Sequence, residues 1–238
     1  PLILAISETL VADLPLQDAF YIGKYYAEKA KVPVVLHIDH GRTIEFIKEA
    51  IDLGFTSVMI DASVDSFEEN IRKTKEIVDY AHTRNVTVEA EIGHVGSNRK
   101  NIEDDIKTED DNSIYTEVKD LVKFVELTNV DSVAVSVGTA HGIYNGTPKI
   151  NFERLKELKA AVSIPLVLHG GSSSGDDNLK KCAEIGISKT NIFTDLCVAG
   201  ASAVNKLQPD NYRDTMKVAD LAIKQTLRHY YGVFNCTK

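Results

Sequence analysis

Short apolar, β-branched runs alternate along the chain with helix-length amphipathic segments. The runs fall at about 2–6, 33–38, 57–60, 86–91, 131–136, 165–168 and 189–193. Between them, apolar positions recur at helical spacing near 16–30, 43–53, 66–83, 117–128, 151–161 and 176–185, followed by one long helical tail from about 196 to 231. Runs that are continuously apolar predict strands buried on both faces, as in βα units around a parallel sheet. Helix starts at Thr43, Ser66 and Asn151 carry capping side chains with acids in the turn that follows, and Gly54 and Gly186 mark helix ends. No Pro-rich or Gly/Ser-rich linker divides the chain, so one domain over 1–238 is expected.

Seven strands with intervening helices predict the α/β class and a (β/α)8 TIM barrel. The first apolar run, Leu2-Ile3-Leu4-Ala5-Ile6, follows Pro1 directly, which predicts a barrel lacking its first strand. One segment breaks the rhythm. Between 93 and 116, Gly93-His94-Val95-Gly96-Ser97-Asn98-Arg99-Lys100-Asn101 and the acids Glu103, Asp104, Asp105, Glu109, Asp110 and Asp111 form a long loop. A loop of that length reads as a lid or binding loop, or equally as a disordered excursion.

The 238 residues carry 35 acidic and 27 basic side chains, a formal charge of −8, with 43% hydrophobic and 26% charged positions. That balance supports a folded soluble protein with a sizeable core. An acidic total without a Lys/Arg cluster argues against duplex nucleic acid or a membrane surface as partner, while small anions can still be held by local backbone donors. Cys182, Cys197 and Cys236 lack both disulfide and metal spacing, which points to a reducing, cytoplasmic compartment.

Polar chemistry is concentrated where the strands end. The apolar runs close with His37-Ile38-Asp39-His40-Gly41, with Asp61, with Glu89-Ala90-Glu91, with Thr139-Ala140-His141-Gly142, with His169-Gly170-Gly171-Ser172 and with Asn191-Ile192-Phe193-Thr194-Asp195. Barrel enzymes draw their catalytic groups from these strand ends. Four of the seven histidines stand there: His37, His40, His141 and His169. A single strand-end histidine reads most simply as a hydrogen-bonded structural residue. Three on separate strands, with Asp39, Asp61 and Glu91, point to a metal site, and three imidazoles with an open position suit catalytic Zn²⁺. His82 and His229 read as solvated or structural. Gly142, Gly170, Gly171, Ser172 and Thr194 offer backbone N–H groups where barrels commonly hold phosphate, although a Gly-Gly-Ser turn also serves merely to turn the chain.

These residues resemble the class II, metal-dependent ketose-bisphosphate aldolases, which include fructose- and tagatose-bisphosphate aldolases. The resemblance is carried by six ordered motifs: Leu36–Gly41, Ser57–Ser63, Val88–Gly93, Gly138–Gly142, Pro165–Ser172 and Thr190–Asp195. It implies that His40, His141 and His169 bind Zn²⁺ and that Asp39 is the acid/base acting on the C4 hydroxyl. Asp61 and Glu91 match supporting or alternative metal positions. Gly142, Gly170, Ser172, Asn191 and Thr194 match positions holding the dihydroxyacetone phosphate half, with Asp195 close by. Glu103 falls where a loop glutamate transfers protons, and a monovalent cation (Na⁺ or K⁺) assists phosphate binding. A homodimer or homotetramer is implied, as is a leading helix and strand that this chain lacks.

The implied reaction is reversible cleavage of a ketose 1,6-bisphosphate to dihydroxyacetone phosphate and glyceraldehyde 3-phosphate, with tagatose slightly favoured over fructose. Cleavage leaves negative charge on the ketone-derived half, which a Lewis acid stabilises, and a carboxylate must take the C4 hydroxyl proton. No strand ends in a lysine suited to a Schiff base. The alternatives are the same chemistry on a deoxy-keto-phosphogluconate from inositol breakdown, a TIM-barrel metallohydrolase, and a non-catalytic sugar-phosphate binder. The absence of a first-strand His-x-His argues against the hydrolase, and retention of Asp39 against the binder.

Overall fold

Parallel strands and helices alternate in the computed structural model, which describes residues 1–93, 96–97, 115–142 and 147–236. In chain order the elements are β1 (Leu2–Ser7), α1 (Leu16–Lys29), β2 (Val34–Gly41), α2 (Ile44–Leu53), β3 (Ser57–Ile60), α3 (Phe67–His82), β4 (Thr87–Ile92), β5 (Gly96–Ser97), α4 (Val118–Thr128), β6 (Ser132–Val135), β7 (Ala140–His141), α5 (Phe152–Ala161), β8 (Leu166–Leu168), α6 (Asp176–Ile185), β9 (Ile187–Thr190), α7 (Thr194–Leu207) and α8 (Tyr212–Val233). Most of the loop at 93–116, including Glu103, lies outside the described residues.

The chain divides into two compact units. The first comprises Pro1–His94, Thr116–Val135 and Ala160–Pro165. Within it β1, β2, β3, β4 and β6 pair in parallel in that order. Val58, Val88, Ala90 and Val133 on one side of these strands are wholly buried, as are Ile47 and Ala50 of α2 and Ile77 and Ala81 of α3. In α3 the buried positions Asn70, Thr74, Ile77, Val78 and Ala81 recur at helical spacing, so the helix presents one stripe to the sheet. Ser66 caps α3 by accepting from Glu69 N at 3.2 Å, and Gly54 ends α2 at φ +117°, a conformation that costs a residue with a Cβ. Thr43 does not cap α2 with its own side chain. Glu8 instead holds the residues leading into α2, its carboxylate accepting from Arg42 N at 2.5 Å and Thr43 N at 3.2 Å. His82 pairs with Asp131 at 3.0 Å, and Asp131 accepts from Val88 N at 2.7 Å, so this histidine is structural.

The second unit comprises Val95–Tyr115, Ser136–Lys159 and Leu166–Lys238. Within it β8 pairs with β9, and β5 with β7, both in parallel. Two expectations change here. The last strand is Ile187–Thr190 rather than 189–193, because Phe193 leaves the extended conformation (φ −136°, ψ −56°) to open α7 at Thr194. The long tail is two helices: Gln208 turns left-handed at φ +47°, Pro209 cannot continue the helix, and Asn211 restarts it by accepting from Asp214 N at 3.0 Å. No helix among the described residues is long and apolar enough to cross a membrane.

Candidate active site

In the first unit the strand ends gather carboxylates and imidazoles. Side chains two apart on a strand share a face, so His37 with Asp39 and Glu89 with Glu91 stand on common sides of β2 and β4. His37, Glu89 and Glu91 are each at most 2% exposed. His37 Nδ1 lies 2.8 Å from Ser57 Oγ, its partner in the β2–β3 register. Its Nε2 is 3.8 Å from Glu89 Oε2 and 3.9 Å from Asp39 Oδ1. The buried Glu89 and the half-buried Asp39 thus face one imidazole nitrogen.

Alternation would send His40 to the opposite face from Asp39. A register shift on β2 between Ile38 and Gly41, with His40 at φ +47°, reverses that. His40 Nδ1 then meets Asp61 Oδ2 at 2.6 Å, and its Nε2 lies 4.0 Å from Asp39 Oδ2. Asp61 is fixed in turn by Ser63, which donates to Oδ1 from its hydroxyl at 2.8 Å and its amide at 3.3 Å. Burial works to lower the His40 pKa, but the hydrogen bond to Asp61 and the charges of Asp39, Asp61 and Glu91 outweigh it and raise it to about 9. For Asp61, burial is likewise overcome by the His40 bond and charge and by Ser63, which hold its carboxyl well below the usual range.

The donor chemistry suits a metal. One atom from each of His40, Asp61 and Glu91 lies within 4.8 Å of the others, and the same is true of His37, Asp39 and Glu89. A histidine whose Nδ1 is held by a carboxylate presents its Nε2 in a fixed tautomer and orientation, the usual support for a ligating imidazole.

In the second unit, the rings of His141 and His169 meet edge to face with centroids 5.8 Å apart, and His169 is wholly buried. Gly170 follows at φ +67°, and a Cβ there would stand 2.4 Å from the Ala140 carbonyl oxygen, so a side chain is excluded. Ser172 Oγ accepts from Phe193 N at 3.1 Å and Asp195 N at 3.3 Å, tying the Gly170–Gly175 turn to the start of α7. With its lone pairs so used, this hydroxyl has its proton left to donate to an anion. Asp195 accepts from Ser173 N at 2.7 Å, Ser173 Oγ at 2.6 Å and the Tyr230 hydroxyl. Gly142 lies among the described residues at φ +103°, and the backbone N–H of Asn191 donates to the Leu168 carbonyl at 3.1 Å.

His37, Glu89 and Tyr230 are further residues that meet the predicted groups or their neighbours. His37 and Glu89 carried a signal, since each is two positions from an assigned carboxylate on the same strand. Tyr230 carried none, standing 35 residues from the aspartate it bonds.

The model of the family described as fructose-bisphosphate aldolase class-II matches residues 1–238. The chain belongs to the class II fructose-bisphosphate aldolase family, and it is an aldolase, a carbon–carbon lyase whose family acts on sugar phosphates. Among solved structures, the YdjI aldolase of Escherichia coli K12 is 37% identical with a TM-score of 0.86, the alignment covering 98% of this chain and 81% of that one. Fructose-bisphosphate aldolase (Fba) of Campylobacter jejuni, at 23% identity and a TM-score of 0.74 over 98% of this chain and 83% of that one, shares the fold. The fold class is therefore α/β of the TIM-barrel type.

Proposed function

We propose that the protein is a Zn²⁺-dependent aldolase that reversibly cleaves a ketose 1,6-bisphosphate, tagatose or fructose, to dihydroxyacetone phosphate and glyceraldehyde 3-phosphate. The observation that carries this reading is the end of β2, where Asp39 stands beside a histidine locked by Asp61. Family membership and the paired imidazoles of His141 and His169 support it. A reducing cytoplasm and a homo-oligomer belong to the same reading.

His40, His141 and His169 are the residues proposed to hold the ion, with Asp61 fixing His40 and Glu91 adding a further carboxylate. The bound ion supplies Lewis-acid stabilisation of the negative charge that develops on the ketone-derived half. In the cleavage direction an Asp39 carboxylate oxygen takes the C4 hydroxyl proton, and in synthesis it returns that proton to the aldehyde oxygen. His37 faces Asp39 Oδ1 at 3.9 Å, and Glu89 competes for the same imidazole nitrogen at 3.8 Å. The amides of Gly170, Gly171 and Ser172, the Ser172 hydroxyl, Gly142, Asn191 and the first turn of α7 at Thr194 grip the phosphate, which fixes the carbons presented to Asp39.

The test is a coupled assay for dihydroxyacetone phosphate with tagatose 1,6-bisphosphate, fructose 1,6-bisphosphate and the deoxy-keto-phosphogluconate, before and after chelation and Zn²⁺ repletion. Activity on a bisphosphate that chelation removes and Zn²⁺ restores is expected. If no substrate yields the product even with added Zn²⁺, the reading is wrong.

A further inference from the structure

The α8 helix reaches the phosphate turn through one side chain. Tyr230, 8% exposed, donates its hydroxyl to Asp195 in the first turn of α7. Asp195 passes that contact on by accepting both the amide (2.7 Å) and the hydroxyl (2.6 Å) of Ser173. Ser173 sits at φ +58°, a left-handed conformation that a residue with a Cβ adopts reluctantly. It therefore needs an external hold, and the aspartate provides two hydrogen bonds. The neighbouring Ser172 is fastened to the same helix start through its hydroxyl, and Ser174 Oγ donates to the Gly170 carbonyl at 2.8 Å.

The carboxylate of Asp195 is thus turned toward three donors. A carboxylate beside a phosphate would repel it, so an aspartate here suits the holding of donors better than the holding of the anion. Burial, then the bond to Asp195, raises the Tyr230 pKa above that of a free phenol, so the hydroxyl stays a donor throughout neutral pH. The ring is packed by its chain neighbours, edge-on to His229 of α8 at 5.4 Å and stacked on Phe234 just past the helix with centroids 6.3 Å apart, so it keeps its place without the hydroxyl.

We propose that Tyr230 is a positioning residue for phosphate recognition: through Asp195 it keeps Ser173 left-handed and so aims the Gly170–Ser172 donors at the substrate phosphate. This rests on the proposed role of that turn in binding phosphate. The α8 helix thereby sets substrate affinity without touching substrate.

The experiment compares the Zn²⁺-loaded enzyme with its Tyr230→Phe, Asp195→Asn, Tyr230→Phe/Asp195→Asn and Ser172→Ala variants. The measurements are kcat, KM for the preferred bisphosphate, inhibition by inorganic phosphate, and Zn²⁺ content. Tyr230→Phe is expected to raise KM and the phosphate inhibition constant together by roughly five- to tenfold, with kcat within about twofold and metal content unchanged. The double variant is expected to be no weaker than Asp195→Asn alone, because Tyr230 acts only through the Asp195 carboxylate. Unchanged KM and phosphate inhibition in Tyr230→Phe, or a fall in kcat alone, overturns the proposal. If Ser172→Ala also leaves phosphate inhibition unchanged, the turn does not bind phosphate and the failure lies in the underlying reading. If Ser172→Ala weakens phosphate while Tyr230→Phe does not, the failure belongs to Tyr230.

Discussion

His40 and Asp61 come from neighbouring strand ends and meet through Nδ1 and Oδ2 at 2.6 Å, with Ser63 closing the other side of the carboxylate. The bond commits Nδ1 of His40 to a carboxylate and turns Nε2 toward Asp39 Oδ2, 4.0 Å away. Replacing Asp61 by Ala is therefore expected to weaken Zn²⁺ binding by about 10- to 100-fold, the usual effect of losing a carboxylate behind a ligating histidine. Competition against a chromophoric chelator measures this, and an unchanged affinity would remove Asp61 from the metal centre.

The same pair fixes a pH dependence. His40 is raised from 6.5 to about 9, so its contribution to the stability of the metal-free protein is full below pH 6.5 and is lost as pH rises through about 9. Asp61 is depressed below 3.8, so its contribution is present above that value and fades as pH falls toward its folded pKa. Metal-free wild type should thus exceed Asp61→Asn most in thermal stability between about pH 4 and 6.5, with the gap narrowing toward pH 9. Melting curves of both proteins across that range provide the check. A gap that widens above pH 7 would contradict the assigned shifts.

Much of this site was legible because chemistry in parallel α/β folds collects where strands end, and Asp39, His40, Asp61, Glu91, His141 and His169 all stand at such ends. What alternation along a strand could not provide was the side to which His40 turns. The regular pattern places it with Ile38, and only the register shift and the left-handed φ of 47° bring it beside Asp39. The tail misled for a different reason. Apolar positions at helical spacing on both sides read as one helix, although Pro209 and the capping Asn211 between them carry the stop and restart that separate α7 from α8. The Tyr230–Asp195 bond was invisible since it follows from how α8 packs and from no local pattern.

Metal binding and proton transfer should separate by mutation. His141→Ala is expected to lose Zn²⁺ and with it activity. Asp39→Ala should retain Zn²⁺ while turnover falls by about 10²- to 10⁴-fold, the range for removing a positioned acid/base group. Metal analysis of both purified variants beside kcat decides the matter, and equal metal loss in the two would end the division of roles.

Glu89 offers the finest test of how Asp39 is held. Its Oε2 and Asp39 Oδ1 approach the same His37 Nε2 at 3.8 and 3.9 Å, and both His37 and Glu89 are buried. Glu89→Gln preserves shape but removes the charge that draws the imidazole N–H toward β4, so His37 is released to pair with Asp39 alone. A histidine bound more closely to Asp39 stabilises its carboxylate and makes it a weaker base. The variant should therefore keep its Zn²⁺ and its KM while kcat falls by about tenfold or more, and Glu89→Asp should recover part of the loss. Steady-state kinetics with metal analysis tests this directly: a rise in KM with kcat intact would instead assign Glu89 to substrate binding.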